Sequence, residues 1–240
     1  MKKTKGIILA GGMGTRLYPL TKVTNKHLLP IGGKPMIDHP INRLKEAGIT
    51  DIMIISGTEH CGAMMQHLGS GASHGCSFTY RVQDRPDGIG GALSLCGDFV
   101  QDSSCVVLLG DNIFQEELGP HVEEFEKSSA NCRLFFKKVG DPRRYGVGVF
   151  DGPTLKMVEE KPERPQTDLA CVGIYFYSHK VFDRLKNMRK SDRGEYEISD
   201  INNFFIDAGE CEYSIMKGRW ADAGTMTSYH KTSWDIFNEK

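Results

Sequence analysis

The stretch Ile7-Ile8-Leu9-Ala10-Gly11-Gly12-Met13-Gly14-Thr15-Arg16 constrains this chain more than any other. Apolar residues feed straight into a glycine-rich turn, an arginine closes the turn, and Lys26 follows shortly after. A strand that stops in such a run lays backbone N–H groups bare, and glycine permits positive φ there. A helix starting near Thr15 would aim its positive end the same way. With two cations at hand, a phosphate site is the first expectation, set against a plain strand-to-helix turn. Two familiar phosphate loops do not fit. The Gly-x-x-x-x-Gly-Lys-Ser/Thr pattern is absent, and a dinucleotide fingerprint would need glycine where Leu17 stands.

A chain of 240 residues suits one large domain that buries a core without staples. The 30 basic and 31 acidic side chains leave a formal net charge of −1. That argues against a general electrostatic grip on DNA or RNA, so no nucleic-acid partner is expected. Seven cysteines are scattered with no C-x-x-C pair. Neither a disulfide framework nor a structural zinc site follows, and reduced thiols in the cytoplasm are expected. Met1-Lys2-Lys3-Thr4-Lys5 looks like the start of a signal peptide, but the apolar run behind it breaks at Gly11-Gly12. No run approaches the length of a membrane span, so no membrane partner is expected.

Up to about residue 130 the chain alternates strand and helix. Strands are predicted at Ile7 to Ala10, Ile52 to Ile55, Cys76 to Val82 and Cys105 to Leu109. Helices are predicted at Met36 to Ala47, His60 to Leu68, Gly88 to Leu95 and Glu116 to Lys127. Short unbroken apolar strands suit a parallel sheet covered on both faces. The rest is strand-rich: Cys132 to Lys138, Gly146 to Phe150, Thr154 to Val158, Cys171 to Tyr177 and Cys211 to Met216. Helices are expected near Lys180 to Met188, Ile198 to Ala208 and Thr225 to Phe237.

Asp111, in Leu108-Leu109-Gly110-Asp111-Asn112, follows an apolar strand and is placed to hold a hard cation such as magnesium, or to close an Asx turn. Asp222, in Trp220-Ala221-Asp222-Ala223-Gly224-Thr225, is either a second metal ligand or the cap of the next helix. Glu159-Glu160-Lys161-Pro162 and Arg193-Gly194-Glu195-Tyr196-Glu197 each set acids beside a base, as a ligand site or as solvated charge. No G-x-S-x-G elbow and no H-E-x-x-H occurs. A reaction run by alignment and charge neutralisation fits that lack.

The chain resembles the bacterial glucose-1-phosphate thymidylyltransferases of the sugar-nucleotide pyrophosphorylase family over essentially its whole length. Leu9 through Leu17, Lys26-His27-Leu28-Leu29-Pro30 and Lys34-Pro35 carry the amino-terminal signature. "YRVQDRPDGIGGAL", "LLGDNIF", "DPRRYGV", "EEKP", "VGIYFY", "RGEYEISDIN" and "WADAGT" follow in the family's order.

The resemblance implies an α/β fold of Rossmann-like three-layer type with a mixed, mostly parallel central sheet. It implies a single domain over 1–240, with a nucleotide-binding half to about residue 130 and a sugar-binding half beyond. The implied reaction joins dTTP to a hexose 1-phosphate and gives a dTDP-sugar and pyrophosphate, with Mg2+ as cofactor. Nucleotide contacts would come from Leu9, Ala10, Gly11, Gly12, Met13, Gly14, Thr15, Arg16, Gln83, Pro86, Asp87, Gly88 and Asp111. Asn112, Tyr145, Gly146, Glu160, Lys161, Val172, Arg193 and Glu195 would serve the sugar. Asp111 and Asp222 would hold the metal, and Arg16, Lys26, Asp111, Lys161 and Asp222 would carry catalysis.

The sequence departs from the family at three places. His27 stands where the family has glutamine, Val172 where it has threonine, and Gly90-Gly91 within its "DGLAQA" segment, where the glycines would leave room on the base side. A UTP-dependent uridylyl transfer stays open, as does a non-catalytic nucleotide-sugar sensor. The long-form members continue past this carboxyl terminus, so feedback control of their kind is not expected. The family's habit of self-assembly implies a homodimer or a homotetramer.

Overall fold

The structure is a computed structural model that describes residues 3–238. Nine strands belong to one mixed sheet, and helices flank it. The chain divides into two compact units that alternate along the sequence. One takes Lys5–Pro86, Leu108–Pro120 and residues 218–238; the other takes residues 3–4, Asp87–Val107 and His121–Lys217.

In the first unit, strands Lys5–Ala10, Asp51–Gly57 and Ser77–Gln83 run parallel, with Ile8 opposite Ile54 and Ile54 opposite Tyr80. Ile7, Ile8, Ile52, Ile54 and Ile55 have no exposed surface. Burial on both faces is why Lys5–Ala10 and Asp51–Gly57 read as continuous apolar runs, whereas Ser77–Gln83, at the end of the strand order, is largely accessible and mixes polar with apolar residues. Helices Asp38–Glu46 and Cys61–Leu68 link the three strands. The first helix buries Pro40, Ile41 and Leu44 and ends at Gly48, which has φ +76°. There the Gly48 and Ile49 amides donate to the carbonyls of Lys45 and Leu44, which satisfies the last turn.

Two short ribbons in this unit have no counterpart in the predicted elements. Asn112–Phe114 pairs antiparallel with Trp220–Asp222, and Pro30–Ile31 pairs with Lys34–Pro35. Both rest on one apolar cluster of Leu17, Leu29, Ile31, Met36, Ile113, Ala223 and Tyr229. The closing helix Met226–Phe237 anchors there too, because the Tyr229 hydroxyl donates to the Pro30 carbonyl at 2.8 Å.

The second unit is built on Leu169–Tyr177. It runs antiparallel to Cys132–Lys138 and to Gly146–Asp151, and the latter pairs antiparallel with Thr154–Glu160. Cys211–Ile215 adds a parallel strand to Cys132–Lys138. Phe135, Phe136, Phe176, Tyr177 and Phe205 fill the core, with the Phe135 and Phe176 rings 5.1 Å apart. Helix Ile198–Asp207 closes that core, and its Asn202 accepts a hydrogen bond from Tyr177 at 2.5 Å. All seven cysteines are free, and Cys105 and Cys171 are core residues as expected. Among the described residues, no helix is long and apolar enough to cross a membrane.

Candidate active site

The glycine turn leaves the end of Lys5–Ala10. Gly14 takes φ +67° and starts a single 3-10 turn, Thr15–Leu17, rather than the helix expected near Thr15. A turn of three residues has little macrodipole, so the electrostatics here belong to exposed N–H groups and nearby cations. Thr21 holds the turn by donating to the Gly14 carbonyl at 2.9 Å. A β-carbon on Gly11 would lie 2.9 Å from Gln83 Oε1, and one on Gly12 would lie 3.3 Å from Lys26 Nζ. The missing side chains thus let Gln83 and Lys26 close onto the backbone. Gly11, Gly12, Met13, Asn25, Gln83 and Pro86 are among the residues that line one open pocket of this unit. Met13 is 60% exposed at its rim.

Lys26 links that turn to the acids. Its Nζ lies 2.5 Å from Asp111 Oδ2, and both side chains are nearly buried. Burial alone would raise the Asp111 carboxyl; the Lys26 ammonium and a hydrogen bond from Asn112 hold it well below the usual carboxylate range. Asn112 is itself buried: its Nδ2 donates to Asp111 at 3.1 Å, and its Oδ1 accepts from the Trp220 indole at 2.7 Å.

Asp222 sits opposite Asn112 in the ribbon, and the Ala223 amide donates to the Asp111 carbonyl. It does not cap the following helix. Thr225 does that, in a reciprocal box with Ser228, while Asp222 Oδ1 accepts from the Gly224 amide at 2.8 Å. Burial and the charge of Asp111 push the Asp222 carboxyl up. The point where Gly224 lacks a β-carbon is 2.7 Å from Asp222 Oδ1, 3.2 Å from Asp111 Oδ2 and 3.1 Å from Arg16 Nη2. Two carboxylates facing one point, one of them strained by the other's charge, fit a hard divalent cation.

In the second unit, Glu160 ends a strand opposite Gly146, and the Lys161 amide donates to the Tyr145 carbonyl. Lys161 takes φ +45°, an uncommon conformation for a residue with a side chain. Its Nζ lies 3.5 Å from Glu160 Oε1. Arg193 reaches Glu160 at 3.2 Å and grips Glu197 with two bonds, at 3.1 and 2.6 Å. Ser191 also donates to Glu197 at 2.6 Å. Burial raises the Glu197 carboxyl, but the hydrogen bonds from Arg193 and Ser191 outweigh it and bring it down. Glu195 is a looser partner at 3.9 Å. Val172 is 1% exposed, so its side chain belongs to the core.

The base-side expectation needs correction. Gly90 and Gly91 leave no room: β-carbons there would lie 2.8 Å from the Tyr196 carbonyl oxygen and 2.2 Å from Asp87 Oδ1. Gly88, at φ +95°, meets the same Tyr196 backbone. These glycines admit a chain crossing, in which the Tyr196 amide donates to Asp87 and the Gly90 amide donates to Tyr196.

The first unit therefore gathers Leu9 to Arg16, Lys26, Gln83, Pro86, Asp111, Asn112 and Asp222. The second gathers Asp87, Gly88, Tyr145, Gly146, Glu160, Lys161, Val172, Arg193 and Glu195. Glu197, which the sequence placed beside Arg193 without assigning it to the sugar site, is the acid Arg193 holds most tightly. The only signal for it was the Glu-x-Glu spacing after Arg193.

A glycine turn with Lys26 beside it and the carboxylates of Asp111 and Asp222 close by suits phosphate and a divalent cation together. The nucleotidyl transferase family model matches residues 5–239, and the chain belongs to that family. Two similar relatives are glucose-1-phosphate thymidylyltransferases. That of Xanthomonas campestris pv. campestris is 42% identical, over 97% of this chain and 80% of its own. That of Neisseria gonorrhoeae is 38% identical, over 95% and 81%. A Bacillus anthracis structure assigned as a glucose-1-phosphate thymidylyltransferase, in complex with a sucrose, superposes with a TM-score of 0.95. It is 49% identical and covers 98% of this chain and 96% of its own. A UDP-glucose pyrophosphorylase bound to UDP-glucose reaches 0.85 at 23% identity, covers 99% of both chains, and shows the shared fold.

Proposed function

We propose that this protein transfers a thymidylyl group from dTTP to glucose 1-phosphate, giving dTDP-glucose and pyrophosphate. One observation carries the reading most: Lys26 spans the glycine turn and Asp111, so an anion loop and an acid pair share one cation. The names of the relatives supply the substrate pair.

Leu9 through Arg16 wrap the triphosphate, Gln83 with Pro86 and the Asp87-Gly88 turn meets the base, and Arg16 and Lys26 take phosphate charge. Tyr145, Gly146, Glu160, Glu195 and the backbone of Val172 receive the sugar, with Arg193 fixing the acids. Lys161 aims the sugar phosphate. Asn112 positions Asp111 through its hydrogen bond. Asp111 and Asp222 hold magnesium, which when bound supplies charge neutralisation at the α-phosphate and leaving group.

The nucleophile needs no base, because the sugar phosphate is already anionic at neutral pH. Its oxygen forms a bond to the α-phosphorus in line, the bond from that phosphorus to the β-phosphate bridging oxygen breaks, and pyrophosphate departs with the electron pair. The chain's part is alignment and fixed charge. Lys26 leaves Asp111 as the triphosphate arrives, and its ammonium moves to the phosphates.

Pyrophosphate release across a panel of triphosphates and sugar phosphates tests the proposal. The expected best pair is dTTP with glucose 1-phosphate; turnover with no pair would favour a sensor and defeat it. Uracil differs from thymine by one methyl group, worth about 0.8 kcal/mol of burial, and UTP also carries a 2′-hydroxyl, so modest uridylyl transfer is compatible and a preference for UTP is not. A solution mass measurement decides between a homodimer and a homotetramer.

A further inference from the structure

We infer that Asp38, His67 and His74 form a binding site for a late first-row divalent metal ion, with Zn2+ the natural occupant. The inference does not depend on the proposed reaction, and none of the three residues enters it.

Each residue offers one ligand atom, and those atoms lie within 4.8 Å of one another. His67 Nε2 is already 2.8 Å from Asp38 Oδ1, and the two imidazole rings stand edge to face with centroids 6.1 Å apart. Tetrahedral zinc with bonds near 2.0–2.1 Å sets its donors about 3.3 Å apart, so the Asp38–His67 pair opens slightly and the wider spacings close, by side-chain rotation. Two imidazoles with one carboxylate select zinc, nickel or copper over magnesium, which prefers oxygen alone. Three protein donors leave a position for water.

The three donors come from three elements: the start of helix Asp38–Glu46, the last turn of Cys61–Leu68, and the 3-10 turn Ala72–His74. The segment between the histidines is built tightly. Gly71 takes φ +93° and packs where a β-carbon would meet the Cys76 carbonyl oxygen at 2.7 Å. The His74 and Cys76 amides both donate to Gly71, and the Phe78 amide donates to Ser70. The Tyr80 hydroxyl donates to the Gly69 carbonyl, and Phe78 backs the His74 ring at 5.6 Å. His74 is thus held near the other two donors before any metal arrives, which lowers the ordering cost of binding. The metal would cross-link the two helices at the end of Cys61–Leu68 remote from His60, a residue of the pocket lining.

The test uses the tag-free full chain, stripped with chelator and titrated with Zn2+ in excess Mg2+. One equivalent should bind, and X-ray absorption should show nitrogen and oxygen donors that include two imidazoles. The double variant His67→Ala/His74→Ala should lose that equivalent, and His230→Ala should keep it. Asp38→Asn should weaken binding by about tenfold or more. If the double variant fails to fold, His74→Asn alone must weaken binding by a similar factor. Unchanged zinc binding in these variants, sulfur in the coordination shell, or no binding by the wild-type chain would overturn the assignment.

Discussion

Lys26 and Asp111 form a nearly buried ion pair with 2.5 Å between Nζ and Oδ2, directly under the glycine turn. Removing one partner of such a pair leaves an uncompensated charge. Lys26→Met should destabilise the protein by roughly 3–5 kcal/mol, read as a lower urea midpoint. Added magnesium should recover more stability in the variant than in the wild type, because the ion takes over the neutralising role. Equal gains in both proteins would speak against Asp111 as a metal ligand. Asp111→Asn should keep the fold and lose most turnover, and full activity at limiting magnesium would end the metal assignment for that residue.

Asp222 bears the strain of the pair, since burial and Asp111 both disfavour its charge. Asp222→Asn should therefore stabilise the metal-free protein at neutral pH by roughly 0.5–2 kcal/mol. The same change should lower kcat by about 100-fold. A variant that is both less stable and fully active would contradict the like-charge reading of this site.

His27 is a buried imidazole, and burial followed by the charge of Lys26 drives its pKa from 6.5 to about 3. The unfolded chain binds a proton near 6.5 that the folded chain refuses until about 3. Stability contributed by the neutral ring is therefore present above the unfolded value and is lost as pH falls through that interval. His27→Gln should flatten the dependence of the denaturation midpoint on pH across the same range. Parallel curves for wild type and variant would show that another group governs the acid limb.

Gly88→Ala combines a positive φ with a β-carbon 2.8 Å from the Tyr196 carbonyl oxygen. A cost of about 1–3 kcal/mol is expected. Gly11→Ala carries no positive φ, and its one contact under 3.0 Å is the amide end of Gln83 at 2.9 Å, with the Gly57 and Ser56 backbone at ordinary distances of 3.4 and 3.5 Å. It should leave stability nearly intact and raise KM for the triphosphate. Calorimetry paired with steady-state kinetics separates the two, and the reverse pattern would refute the distinction.

The regular elements were legible wherever burial left an unbroken apolar run. Cys105–Leu109 and Cys132–Lys138 match their predicted bounds. The ribbon of Asn112–Phe114 and Trp220–Asp222 was not legible, because three-residue strands carry no periodicity. Asp222 reads in sequence as either a metal ligand or a helix cap, and the reciprocal box of Thr225 with Ser228 shows that Thr225 holds the cap. Glu195 and Glu197 are equivalent neighbours of Arg193 in sequence, and the turn before helix Ile198–Asp207 decides which one is gripped. Gly90 and Gly91 illustrate a further ambiguity. A missing side chain marks close approach as readily as open space, and here the Tyr196 backbone and the Asp87 carboxylate fill the gap.

The ribbon also sets an order of events during synthesis. Asn112 and Trp220 are 108 residues apart, yet their hydrogen bond belongs to the strand pair that brings Asp222 beside Asp111. The glycine turn and Lys26 leave the ribosome before Asp111, and Asp111 leaves it well before Asp222. A nascent chain can thus fold its anion loop long before it owns both carboxylates. The pairing that completes the acid site cannot close until Trp220–Asp222 has been made.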